Sequence, residues 1–218
     1  MNLWELFRDL YGVDQPQGCT DEEIAAVKEI FGAIPAVVED FWRTFGHTPQ
    51  LNYGQDTWIL PEHYFKWTWP GDSEYLILLN ENQGVCRACI RQEDLSLSDP
   101  PVYTQMEDND PWLLAAPTTS KFLEAALLYE SVEQMEYVSD EFYWLTGEEL
   151  TQVQAKLTKH PAVLKNWMEI EITCYSNRPD NLLVIMDVGD QFQTLFGAVA
   201  EKSYQALLDV MKGVGEPI

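Results

Sequence analysis

The sequence predicts an α+β fold: an N-terminal helix pair packed on a mostly antiparallel sheet, followed by a C-terminal α-β-β-α extension. Three observations carry this expectation. Two early segments repeat apolar residues at the helical period, the middle shifts to the two-residue period of strands, and the last third runs helix, strands, helix. No internal repeat or low-complexity segment interrupts the order.

The first residues, MNLWELFRDLYG, set Leu3, Leu6, Phe7 and Leu10 at i, i+3, i+4 and i+7, the stripe of a short amphipathic helix. Thr20-Asp21-Glu22-Glu23 is a capping box, in which the Thr20 hydroxyl accepts from the Glu23 amide and the Glu23 carboxylate reaches back. The helix it opens carries Ile24, Val27 and Phe31 on one face and stops at Gly32. Pro35 suits the first turn of the next helix, where Val38, Phe41, Trp42 and Phe45 form a stripe that Gly46 ends.

Beyond residue 57 the period changes. Trp58-Ile59-Leu60 reads as a short strand ended by Pro61, and Tyr75–Asn80 as a buried one. Asn82-Gln83-Gly84 supplies a turn, and Val85–Arg91 returns with Cys86, Ala88 and Ile90 on one face and Arg87 and Arg91 on the other. A Pro-rich stretch (Asp99-Pro100-Pro101) and an acidic turn (Glu107-Asp108-Asn109-Asp110-Pro111) precede a helix over Thr118–Met135. A second capping box, Thr146-Gly147-Glu148-Glu149, opens a helix with Leu150, Val153 and Leu157 that ends before Pro161. Met168, Ile170, Ile172 and Cys174 alternate with polar residues as a half-solvated strand. Asn181–Val188 reads as a buried strand, Phe192–Phe196 as another, and a helix with Tyr204, Leu207, Leu208 and Met211 closes the chain. The expected division is a core over 1–136 and an extension over 137–218 packed on the same domain.

Apolar residues make up 46% of the chain, enough for a core and too many for a disordered segment. No apolar run approaches the roughly 20 residues of a membrane span, and the N-terminus lacks the pattern of a secretory signal. Four cysteines are too few for a disulfide scaffold, so free thiols in a reducing cytoplasm are expected. Thirteen bases against 36 acids give a net charge of −23. That balance disfavours direct contact with nucleic acid or an anionic membrane, both of which demand Lys and Arg. It leaves a solubility surface or a field that steers a basic partner. The distribution favours steering: residues 92–155 hold fourteen acids and one base, Lys121.

An ordered series of features runs through the first 130 residues. Glu22/Glu23-Ile24 precedes Glu29-Ile30-Phe31-Gly32, Ile34-Pro35, Phe41 and Gly46. Then come Trp58-Ile59-Leu60-Pro61, Leu78-Leu79-Asn80-Glu81-Asn82-Gln83-Gly84-Val85, Asp99-Pro100-Pro101-Val102-Tyr103, and Trp112 ahead of Ser120-Lys121-Phe122-Leu123. In order and spacing this segment resembles the SUKH superfamily, which contains fungal cell-wall-synthesis regulators of the Smi–Knr type and bacterial immunity proteins. The resemblance implies an α+β fold without catalytic residues. It also implies an immunity protein that binds and neutralises a toxin domain, often a nuclease, or alternatively a regulatory scaffold. Residues after about 137 lie outside it.

No site of catalysis, cofactor or metal binding is expected. The three histidines (47, 63, 160) are scattered and no hydrolase, phosphate-loop or dinucleotide motif occurs. Cys86 and Cys89 are three apart on a strand and point to opposite faces, which argues against a shared metal. The candidate partner-binding residues are the acids Glu107, Asp108, Asp110, Glu133 and Glu136, with Trp67 and Trp69. The two tryptophans alternate with polar residues before a turn and read either as core or as interface anchors.

Overall fold

A computed structural model describes residues 2–66, 74–106 and 110–218. Along the chain, α1 (Leu3–Tyr11), α2 (Asp21–Phe31) and α3 (Ala36–Phe45) precede β1 (Thr57–Trp58), the single-turn α4 (His63–Lys66), β2 (Tyr75–Asn80) and β3 (Arg87–Arg91). Then come β4 (Val102–Gln105), β5 (Leu113–Ala116), α5 (Thr119–Ser131), β6 (Tyr137–Val138), β7 (Tyr143–Leu145) and α6 (Gly147–Gln154). The rest is β8 (Thr158–Trp167), β9 (Ile170–Ser176), β10 (Asn181–Asp187), β11 (Phe192–Ala198), α7 (Glu201–Met211) and β12 (Glu216–Pro217). The architecture is α+β, with antiparallel sheets of five and seven strands among the described residues. None of the described helices is long and apolar enough to cross a membrane.

The chain divides into two compact units, both discontinuous in sequence. One comprises Met1–Asp14, Leu123–Lys165 and Ile170–Ile218; the other comprises Gln15–Phe122 and Asn166–Glu169. The expected border at 136/137 falls inside the first of these.

In the unit built on residues 15–122, the Thr20 capping box forms as expected: Glu23 N–H donates to Thr20 Oγ1 and Thr20 N–H to Glu23 Oε2. Pro35 sits one residue outside α3, as its cap. The sheet is a meander in the order β1-β2-β3-β4-β5. Its hairpin loop is closed by Glu81, a buried acid whose carboxylate accepts from the amides of Gln83 and Val85. Strands β4 and β5 were not legible in the sequence. The Pro-rich turn has a definite task, since Asp99 accepts from the Ser120 amide at 2.8 Å and from its hydroxyl at 2.6 Å, capping the first turn of α5.

The other unit is built on the seven-stranded sheet, ordered β12-β7-β11-β10-β9-β8 with β6 also paired to β11. Leu183, Ile185 and Phe196 on one face pack with Leu207, Val210 and Met211 of α7, Val153 and Leu157 from the α6 region, and Val214. Leu182, Val184 and Met186 on the opposite face of β10 are buried as well, so β10 reads as a continuous apolar run.

Three expectations are corrected here. The extension is not α-β-β-α, because four long strands (β8 to β11) separate α6 from α7 and three short ones flank them. Leu157 is not part of α6, which stops at Gln154, and Pro161 lies inside β8. Strand β8 is the last in its sheet, where a residue without an N–H is tolerated. Met168 does not open a strand. It shares with Glu169 the two-residue turn between β8 and β9, at φ 51° and 64°, the left-handed pair that tight hairpins use.

Candidate functional site

Chemistry-bearing side chains converge most clearly in the unit built on the seven-stranded sheet. A cleft of about 510 Å³ is lined by Trp144, Thr146, Glu148, Glu149, Gln152, Gln191 and Glu216, together with Leu145 and Gly213. Three chain segments meet there because β7 pairs on one side with β11 and on the other with β12. Trp144 lies opposite Glu216 in one ladder and opposite Gln193 in the other.

The carboxylates differ in role. Glu149 is built into the frame: Oε2 accepts from the Thr146 amide (2.9 Å) and hydroxyl (2.8 Å), and Oε1 from the Gly215 amide (3.0 Å). These hydrogen bonds, led by that of the Thr146 amide, hold its carboxyl below the usual range. Glu148, one residue earlier on the first turn of α6, is exposed, as is Glu216 on β12. The lining therefore offers carboxylates, two side-chain amides and a half-buried indole, and no lysine or arginine. Such a set suits an ammonium or guanidinium group, which can pair with carboxylates while lying over an indole face.

The residues singled out from sequence are elsewhere. Trp67, Trp69, Glu107 and Asp108 lie outside the described residues. Asp110 is exposed just before β5, beside a smaller cleft of about 130 Å³ shared with Thr104, Met106, Pro111, Leu113, Asn166 and Glu169. Glu133, in the 3-10 turn after α5, and Glu136 are both exposed in the unit that holds the large cleft, yet neither lines it. Partial desolvation pushes the Glu133 carboxyl up. Asp110 belongs to the other unit.

Several acids of the 92–155 segment are structural. Glu124 and Glu130 are buried, Asp99 caps α5, and Glu149 caps α6. Trp144, Gln191 and Glu216 were missed because nothing local marks residues that meet only through strand pairing.

All four cysteines are buried free thiols. Cys89 is enclosed because β3 lies between β2 and β4, with its Ala88, Cys89 and Ile90 all buried, and Cys86, one residue before β3, is buried as well. Burial pushes the Cys86 thiol up to about 11 and Cys174 up to about 12, the condition of an inert thiol. His160 faces Ser176, with Nε2 3.1 Å from Oγ. His63 accepts the Leu60 amide on Nδ1.

No family model matches the chain, and no curated protein or solved structure gives a significant match.

Proposed function

We propose that the chain is a partner-binding protein of the immunity type, which neutralises a basic toxin domain through its acidic surface, with the Trp144 cleft receiving a cationic side chain. The observation that carries this reading is the lining of that cleft: the exposed acids Glu148 and Glu216 share it with the Trp144 indole, in a chain of net charge −23. Nucleases hold phosphate with lysine and arginine. A cleft lined by carboxylates and an indole presents the complementary groups, and a wide negative field speeds the encounter.

Glu148 and Glu216 are the residues to alter. Both are exposed and neither is part of the capping network that Glu149 serves. The test is capture of the adjacent gene's product by the full chain at two salt concentrations. Wild type should bind and release as salt rises, because screening shortens the reach of exposed charges to about 8 Å at physiological ionic strength. Reversal of Glu107, Asp108, Asp110, Glu133 and Glu136 to Lys tests the sequence-nominated acids separately. If that variant fails while E148K/E216K binds normally, the partner docks on those acids and not at the cleft.

A further inference from the structure

We propose that Cys19, Glu23 and His47 form a binding site for one zinc ion or a similar borderline divalent cation. Their ligand atoms, one from each residue, lie within 4.8 Å of one another. Together they are the thiolate, carboxylate and imidazole set that zinc accepts, at bond lengths of about 2.0–2.3 Å. All three belong to the unit built on residues 15–122.

The backbone around them is fixed in place. The Cys19 amide donates to Trp42 O at 2.9 Å and the His47 amide to Gln17 O at 2.8 Å, while the Gln17 amide donates to Thr48 Oγ1 at 3.0 Å. The segment before α2 is thereby pinned along the end of α3. Two glycines allow the close approach: a Cβ on Gly18 would fall 1.6 Å from Arg43 O, and one on Gly46 would fall 2.4 Å from Cys19 Sγ. Glu23 is held by the first turn of α2, where Oε2 accepts from the Thr20 amide and hydroxyl. Both of its oxygens also lie 3.0 Å from His47 Nε2. A cation seated between Oε1, Nε2 and Sγ would take the place of the His47–Glu23 contact and leave the Thr20 hydrogen bonds to Oε2 in place.

The burial gradient also fits. Cys19 is enclosed, Glu23 is half-buried and His47 is exposed, so the cluster opens to solvent on one side. Three protein ligands with one open position is the arrangement of zinc sites that keep a water or accept a further ligand. Without a cation, burial and the charges of Glu23 and Glu62 push the Cys19 thiol up to about 12, which makes it a poor free nucleophile.

The test uses the full chain, stripped with a chelator and titrated with Co²⁺ alone and then Zn²⁺. One equivalent of cobalt should produce a thiolate-to-metal charge-transfer band that zinc abolishes. C19S should remove the band. Because Cys19 is buried, H47Q is the second variant: it changes an exposed side chain and should weaken binding at least about tenfold while the circular dichroism stays unchanged. H160Q, outside the cluster, should titrate as wild type. Absence of stoichiometric binding, absence of the band, a normal titration by H47Q, or a loss in H160Q would each overturn the site.

Discussion

Trp167 donates its indole N–H to Asp56 Oδ2 at 3.0 Å, a buried hydrogen bond between residues 111 positions apart. It ties the tip of the β8–β9 hairpin to the loop before β1 within a single unit. Hydrogen bonds to charged groups contribute about 1.5–3 kcal/mol, and breaking one in the interior adds a desolvation cost. Trp167→Phe and Asp56→Ala should therefore each lower stability by about 2 kcal/mol or more, with Asp56→Asn milder. Urea denaturation with an unchanged slope is the measurement.

The same hairpin stores a correctable strain. Glu169 holds φ at 64° without being glycine, a conformation that costs an L-residue roughly 1–2 kcal/mol. Glu169→Gly should stabilise the protein by up to about 1 kcal/mol, since glycine's freedom in the unfolded chain offsets part of the gain. A rise in the denaturation midpoint checks it.

The two capping boxes have matching geometry, with Thr20 and Thr146 each accepting from an amide three residues on and receiving a glutamate in return. Thr20→Ala and Thr146→Ala should each cost about 1 kcal/mol. Thr146→Ala should also loosen the cleft, because Glu149 loses the Thr146 hydroxyl, one of its three hydrogen-bond donors. The check is stability for both variants and partner binding for Thr146→Ala.

Acid should act in two steps. Burial depresses His63 and His160 below the ordinary histidine value of 6.5, against the opposing pull of Glu62 and Glu124 respectively. Protons that bind the unfolded chain near pH 6.5 do not bind the folded one, so stability present at pH 7 is lost as pH falls through the depressed folded values. Glu149, held below 4.5 by its hydrogen bonds, adds a second loss only under more acidic conditions. The urea midpoint should fall between pH 7 and pH 5, and a H63Q/H160Q variant should flatten that slope.

What could be read from the sequence was local. The Thr20 and Thr146 boxes, the apolar stripes of α2 and α3, and the run of β10 each declare themselves within a few residues. Strands β6, β7 and β12 have two or three residues apiece, too few to show a period. Strand β8 was hidden by Pro161, whose usual meaning as a stop is suspended at a sheet edge. The cleft was hidden for a different reason. Trp144, Gln191 and Glu216 approach only when β7 is flanked by β11 and β12, and no spacing in the chain encodes that. Cys19, Glu23 and His47 follow no ligand motif either, since the last two are 24 positions apart, with the rest of α2 and all of α3 between them.

The central claim, that an acid-lined cleft receives a basic partner, is tested most directly by association kinetics. The on-rate of the adjacent gene's product is measured against salt for wild type and for Glu148→Lys/Glu216→Lys. The prediction is a fast on-rate that falls steeply with salt in wild type, and in the variant one at least about tenfold slower at low salt with a shallower dependence. No association by wild type, or an on-rate and salt slope unmoved by the reversal, would contradict it.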